Sequence, residues 1–193
     1  MWSDQALHLL GLPLTGQPHL IDDNRVVHVT SGEVERWLAT RRAPKWWNTH
    51  RALVDARLTE GCKLFAHVSD GVPVHRAWLT MSATRIGSDF GFWVGTNTPI
   101  AVLWDDFTEP SARRGGLQKA SIASRVRLAQ LHGESLWAMA TVRPDNSASL
   151  RSYEASGFKV VATLHRACRF GRVRGRLTSK GEGLETLYLR LEG

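Results

Sequence analysis

The chain has 193 residues, 42% of them hydrophobic, enough for one domain with a full core. With 25 Lys and Arg against 18 Asp and Glu its formal net charge is +7, which favours anionic partners: a phosphorylated cofactor, a nucleotide-linked substrate, RNA or an acidic surface. No apolar run approaches the roughly 20 residues that span a bilayer, the N-terminus lacks the basic start of a secretion signal, and Cys62 and Cys168 lie outside any metal-ligand spacing, as free thiols of a reducing cytoplasm would.

Residues 1–24 read as an irregular N-terminal arm, because Pro13, Gly16 and Pro18 interrupt short apolar pieces. A single α/β domain is expected over 25–193. Val26 to Thr30 is the first expected strand. Ser31 is placed to cap a helix over Glu33–Arg41, with Glu33 and Glu35 near its positive end. Pro44 opens a second helix, Lys45 to about Thr59, closed by Gly61. Cys62–Val68 and Val74–Met81 flank a Ser-Asp-Gly-Val-Pro hairpin signal. Asp89–Val94 and Ile100–Phe107 read as further strands. Apolar or small residues at Leu117, Ala120, Ile122, Ala123, Val126, Leu128, Ala129 and Leu131 predict a helix to His132 with one broad buried stripe. Leu136–Val142 is an apolar, β-prone run that Pro144-Asp145-Asn146 breaks. Asn146 or Ser147 then caps a helix over Ala148–Ser156, ended by Gly157. Strands over 158–170 and Leu184–Leu191 complete a mixed sheet of about seven strands with flanking helices.

Two segments carry chemistry. Arg113-Arg114-Gly115-Gly116 stands at the entrance of the helix that runs to His132. Two glycines let backbone approach a ligand closely, and the unpaired N–H groups of a helix start form an anion site. Downstream, Asn146, Ser149 and Tyr153 follow at spacings that a helix brings onto one face. An amide, a hydroxyl and a phenol at a helix N-terminus suit an anionic, hydrogen-bonding ligand.

Asn146, Tyr153, Gly157 and Phe158, preceded by the Arg113–Gly116 loop, resemble the motifs of the GNAT superfamily of acyl-CoA-dependent N-acetyltransferases. The resemblance is best from about Cys62 to Val161. It implies a GNAT-like α/β (α+β) fold with two helices after the first strand. It also implies transfer of an acetyl group, or a longer acyl group, from CoA to a primary amine, without a metal. Arg113, Arg114, Gly115, Gly116, Leu117 and Gln118 would cradle the diphosphate, although Gln118 stands where the family has a small residue. Two parallel strands, 100–107 and 136–142, would diverge around the pantetheine arm, with Phe107 and Thr108 supplying backbone groups. Asn146 and Ser149 would serve the same carrier, and Tyr153 would be the general acid on the departing thiolate. Family members commonly pair, which implies a homodimer.

Asp105 and Asp106, ending an apolar strand, are the first candidates for the base, through desolvation beside Trp104 and Phe107; alternatively they pair with Arg113 or Arg114 and only order the loop. His75 is a further candidate. Trp78, Trp93 and Trp104 would offer a flat apolar wall to the acceptor if they share one end of the cleft. The run from His165 to Lys180 is strongly basic, and Arg169 and Arg172 are candidates to receive an anionic acceptor. The expected substrate is a small, anionic amine such as an amino sugar or amino acid. The alternatives are a macromolecular amine, including aminoacyl-tRNA, and a non-catalytic CoA-binding regulatory module. Nucleic acid enters only as a substrate, because no zinc-finger, helix-turn-helix or RNP-type pattern is present.

Overall fold

The computed structural model describes residues 3–16, 24–39, 45–87, 90–169, 172–179 and 188–192. In chain order the elements are β1 (Ser3–Pro13), β2 (Val27–Val29), α1 (Ser31–Leu38), α2 (Lys45–Thr49), α3 (Arg51–Thr59), β3 (Lys63–Ser69) and β4 (Val72–Gly87). There follow β5 (Trp93–Thr108), a 3-10 turn (Pro110–Ala112), α4 (Leu117–His132), β6 (Trp137–Val142), α5 (Ser147–Glu154), β7 (Lys159–Arg169), β8 (Arg172–Ser179) and β9 (Leu189–Glu192). The chain divides into two compact units, and β4, β5 and α4 each contribute residues to both.

The first unit comprises residues 1–18, 81–102 and 129–193. Its hydrogen-bonded strand order is β5, β6, β1, β7, β8, with β9 also on β5. Within the expected N-terminal arm, Ser3–Pro13 form a strand instead. β1 runs antiparallel to both β6 and β7, with Gly11 opposite Met139 and Leu7 opposite Leu164. The β6–α5–β7 crossover thus leaves one strand's width between two parallel strands, and β1 fills it. Leu7, Leu9, Leu10 and Leu12 are all buried, so neither face is left to solvent. Such a strand lacks the alternation that reveals half-buried ones. At Gly11 a Cβ would stand 3.0 Å from Val161 and 3.3 Å from the Trp137 ring, so any larger residue would have to push these side chains back by a few tenths of an ångström.

Further differences have local causes. Of the strand expected at 89–94 only Trp93 and Val94 are in a strand, and they belong to the same β5 as 100–107, while Asp89 lies outside the described residues. Pro99 lies inside β5 without ending it, its carbonyl accepting from Leu136 N–H at 3.1 Å. The basic run after His165 contains β8, paired with β7 from Ala162↔Ser179 to Arg169↔Arg172. Alternating arginines disguise it, since its apolar positions are few. The last expected strand, at Leu184–Leu191, is described only as β9.

The second unit comprises residues 19–80 and 103–128. β2 pairs with β3 and β3 with β4, antiparallel, with Val27 opposite Ala66 and Lys63 opposite Leu79. The β3–β4 turn takes left-handed φ values at Asp70 (52°) and Gly71 (76°), as the hairpin signal implies. One core cluster joins Val29, Val34, Trp47, Val54, Cys62, Leu64, Ala66 and Trp78. At the start of α1 the Glu33 carboxylate accepts from Thr30 N–H at 2.7 Å and from Thr30 Oγ–H at 2.8 Å, so Thr30 rather than Ser31 is the cap. The single helix expected from Lys45 is two, α2 and α3, meeting at His50. Pro44 and Arg41 lie outside the described residues. In α4 the residues from Ala120 to Val126 are all buried, including Ser121, Ser124 and Arg125. The expected single stripe is therefore too narrow there, and Leu131, assigned to it, is 66% exposed. Among the described residues no helix is long and apolar enough to cross a membrane.

Candidate functional site

In the second unit β5 delivers the chain to the glycine loop. Glu109 N–H bonds Val74 O at 2.9 Å, and the turn Pro110–Ala112 reverses direction. Arg113 Nε donates to Thr108 O at 3.2 Å, tying the loop to the strand end and occupying a carbonyl expected for the pantetheine arm. Arg114 (φ 69°) and Gly116 (φ 74°) are both left-handed, while Gly115 between them is not. Left-handed residues in such a turn are what aims backbone N–H groups into a concavity, a nest, where one binds an anion. Ala120 N–H bonds Gly116 O at 3.1 Å, so the nest leads straight into the 16-residue α4 and its positive end. A cavity of about 350 Å³ adjoins the loop, lined by Arg25, His67, Ser69, Val74, Ser111, Ala112, Gly115 and Leu117.

In the first unit the Asn146 to Phe158 segment folds as its residues predict. Asn146 Oδ1 caps α5 by accepting from Ser149 N–H at 3.2 Å. Gly157 (φ 89°) ends it, with Phe158 N–H on Tyr153 O at 3.1 Å. Ser149 and Tyr153 share the buried face. Tyr153 is only 2% exposed and stands edge-on to Phe158, with centroids 5.0 Å apart.

The carboxylates are engaged by arginines outside the loop. Asp105 (φ 49°) breaks the alternation of β5, a conformation that its short side chain tolerates better than most. Its Oδ2 lies 2.6 Å from Arg57 Nη1 and its Oδ1 3.6 Å from Arg76 Nη2. Asp106 Oδ1 lies 2.7 Å from Nη1 of Arg125, whose side chain is 0% exposed. That arginine also donates to Ser121 O at 3.1 Å and to Trp78 O at 3.0 Å. Asp106 thus stands as the counter-charge of a buried cation, a demand that a proton-accepting role would disturb. None of Arg57, Arg76 and Arg125 was singled out from the sequence. Arg125 carried a weak signal, a cation within the apolar run of α4.

Comparison with solved structures assigns the architecture. A protein assigned as an acetyltransferase of the GNAT family, from Novosphingobium aromaticivorans DSM 12444, matches with a TM-score of 0.56 at 16% identity, over 93% of this chain and 66% of its own. An acetyltransferase of the GNAT family from Colwellia psychrerythraea matches with a TM-score of 0.52 at 15% identity, over 93% of this chain and 57% of its own. The fold is that of the GNAT acetyltransferases. This chain spans about two thirds of the length of the one and little more than half of the other. No family model matches the sequence, nor does any curated protein.

On this GNAT fold the tryptophans do other work than expected. Trp78 is fully buried and stacks on Trp104 with centroids 5.9 Å apart. The Arg57 guanidinium lies over both rings, 5.1 and 4.4 Å from their centroids. The flat wall is thus covered by a cation, which corrects Trp78 as a ligand surface. Trp93, in the first unit, is 43% exposed, lies under Arg85 at 4.3 Å and packs beside Gly87. Arg76 sits 3.5 Å over Trp46 and 4.5 Å over Phe107. Burial pulls its pKa down and Asp105 opposes this. Arg169 and Arg172 are partners in the β7–β8 backbone register.

His75 is buried, and its Nδ1 shares a 2.8 Å hydrogen bond with Thr108 Oγ1 at the end of β5. Burial holds its pKa at about 4, down from 6.5; Arg125, His67 and Arg76 push the same way and Asp106 opposes. The imidazole is thus neutral near pH 7 and braces the strand end. Because the unfolded chain binds this proton first, stability is full above about pH 6.5 and falls as pH drops toward 4, by on the order of 3 kcal/mol. Urea melts across that range are expected to show the slope in the wild type and a shallower one in His75→Asn, the remainder including His28, whose pKa burial also lowers. An unchanged slope in the variant would remove His75 as its source.

Proposed function

We propose that the protein transfers an acetyl group, or another acyl group, from a CoA thioester to the primary amine of a small anionic metabolite. The observation that carries this reading is the left-handed pair Arg114 and Gly116 opening α4 on a GNAT fold. In this reading the backbone of Arg113–Gln118 holds the diphosphate, with Arg113 and Arg114 supplying charge. Phe107 and Thr108 line the pantetheine path, and Asn146 and Ser149 serve the same carrier. Calorimetry with CoA, then free-thiol release from acetyl-CoA over a panel of amino sugars and amino acids, tests it. No binding of CoA would overturn it.

An amine with a pKa near 10 is mostly protonated at pH 7, so it loses a proton before attack. We assign to Asp105 the acceptance of that proton through water, with its carboxylate positioned by Arg57 and Arg76. The neutral nitrogen then attacks the thioester carbon, the C–S bond breaks, the thiolate leaves with a proton from Tyr153, and the proton the new amide nitrogen sheds passes through water to restore the phenol. Most of the rate comes from holding thioester and amine together, since a thiolate leaves readily unaided. Tyr153→Phe keeps the packing against Phe158 and is expected to lower kcat about 10-fold to 100-fold with CoA affinity unchanged. An unaltered kcat would strip Tyr153 of the acid role.

Arg169, Arg172, Arg174 and Arg176 belong to a β7–β8 hairpin that contains no acidic residue. We assign to this hairpin the attraction of the acceptor's phosphate or carboxylate. The acceptor KM is then expected to rise steeply with added salt while kcat holds; a salt-independent KM would remove that role. Two free cysteines, Cys62 and Cys168, suit a reducing cytoplasm.

A further inference from the structure

Arg25 reaches the glycine loop from far away in the sequence. Its Nη1 donates to Gly115 O at 2.7 Å, across 90 positions of the chain. The peptide it grips joins Gly115 to Gly116. A peptide between two glycines is the easiest to flip, because neither flanking torsion is restrained by a Cβ. In a trans peptide the carbonyl and the following N–H point in opposite directions. Holding the Gly115 oxygen on one side therefore commits the Gly116 N–H to the other. Nη2 of Arg25 also lies 3.6 Å from where a Cβ on Gly116 would stand, so its charge sits at the nest itself.

The arm that carries this guanidinium is fixed at its base. His67 Nδ1–H donates to Arg25 O at 2.6 Å, since a carbonyl can only accept. Ser124 Oγ–H donates to Val26 O at 3.0 Å, and Val26 is buried. Ser124 belongs to α4, the helix that the loop opens. Loop, helix and the Arg25 backbone are thus tied into one closed circuit.

We propose that Arg25 is a positioning residue for diphosphate binding: it locks the Gly115–Gly116 peptide with its N–H turned toward the anion. This rests on the carrier reading above. Arg25→Met keeps the length of the side chain and removes the donor; Arg25→Lys keeps a charge without the fork. Calorimetry uses CoA, 3′-dephospho-CoA and pantetheine, the last lacking the diphosphate. Arg25→Met is expected to weaken CoA and 3′-dephospho-CoA equally, by about tenfold, and to leave pantetheine unchanged, with partial recovery in Arg25→Lys. Loss confined to CoA would make Arg25 a direct contact of the 3′-phosphate and overturn the positioning role. Equal loss for pantetheine would mark a general disturbance and overturn it too. Unchanged CoA affinity in Arg25→Met would overturn this inference alone, whereas no CoA binding by the wild type would overturn the carrier reading and this with it.

Discussion

Replacing Gly116 by Glu is expected to weaken CoA binding on the order of 100-fold or more. Crowding is not the cause, because the nearest atom to an added Cβ is Arg25 Nη2 at 3.6 Å. Two other effects act together. Gly116 has a left-handed φ of 74°, which costs any L side chain about 1–2 kcal/mol and favours a rearranged loop. A carboxylate at that point would also repel the diphosphate and draw the Arg25 guanidinium off the Gly115 carbonyl. Gly116→Ala isolates the first effect and is expected to cost about tenfold. Titration calorimetry of both variants separates conformation from charge. Wild-type affinity in Gly116→Glu would remove the loop from the carrier site.

Asp106→Ala is expected to destabilise the fold by about 3–5 kcal/mol. It leaves the fully buried Arg125 with its bonds to Ser121 O and Trp78 O and without its counter-charge. For a chain of this size the loss corresponds to a fall in Tm of roughly 6–20 °C. The double variant Asp106→Ala, Arg125→Met is expected to recover most of it, because the cost lies in the stranded charge rather than in the missing carboxylate. Thermal and urea melts of the three proteins decide the matter. If Asp106→Ala melts like the wild type yet loses turnover, Asp106 is the base after all.

Local chemistry was the part of this molecule that its sequence disclosed. Asn146 as cap, Gly157 as terminator and the entry of α4 after Gly116 each depend on a residue and its near neighbours, so the chain states them directly. Long-range pairing was concealed. β1 is apolar on both faces and ends at Pro13, which reads as a broken arm until β6 and β7 are known to flank it. The carboxylates were legible as acids ending an apolar strand, but their partners come from α3, β4 and α4. Nothing in the spacing of Arg57, Arg76 and Arg125 announces that they meet Asp105 and Asp106. The tryptophans misled for a related reason: a flat ring in a strand does not show whether a cation already covers it.

The seat of β1 has a consequence for synthesis on the ribosome. Leu7 meets Leu164, so this strand waits until the chain has been made as far as β7 before that neighbour exists. During that interval a leucine-rich segment is adhesive, and the gap it will occupy exposes two raw sheet edges once β6 and β7 emerge. Closure of so long a loop makes insertion of this strand a late and slow event in folding.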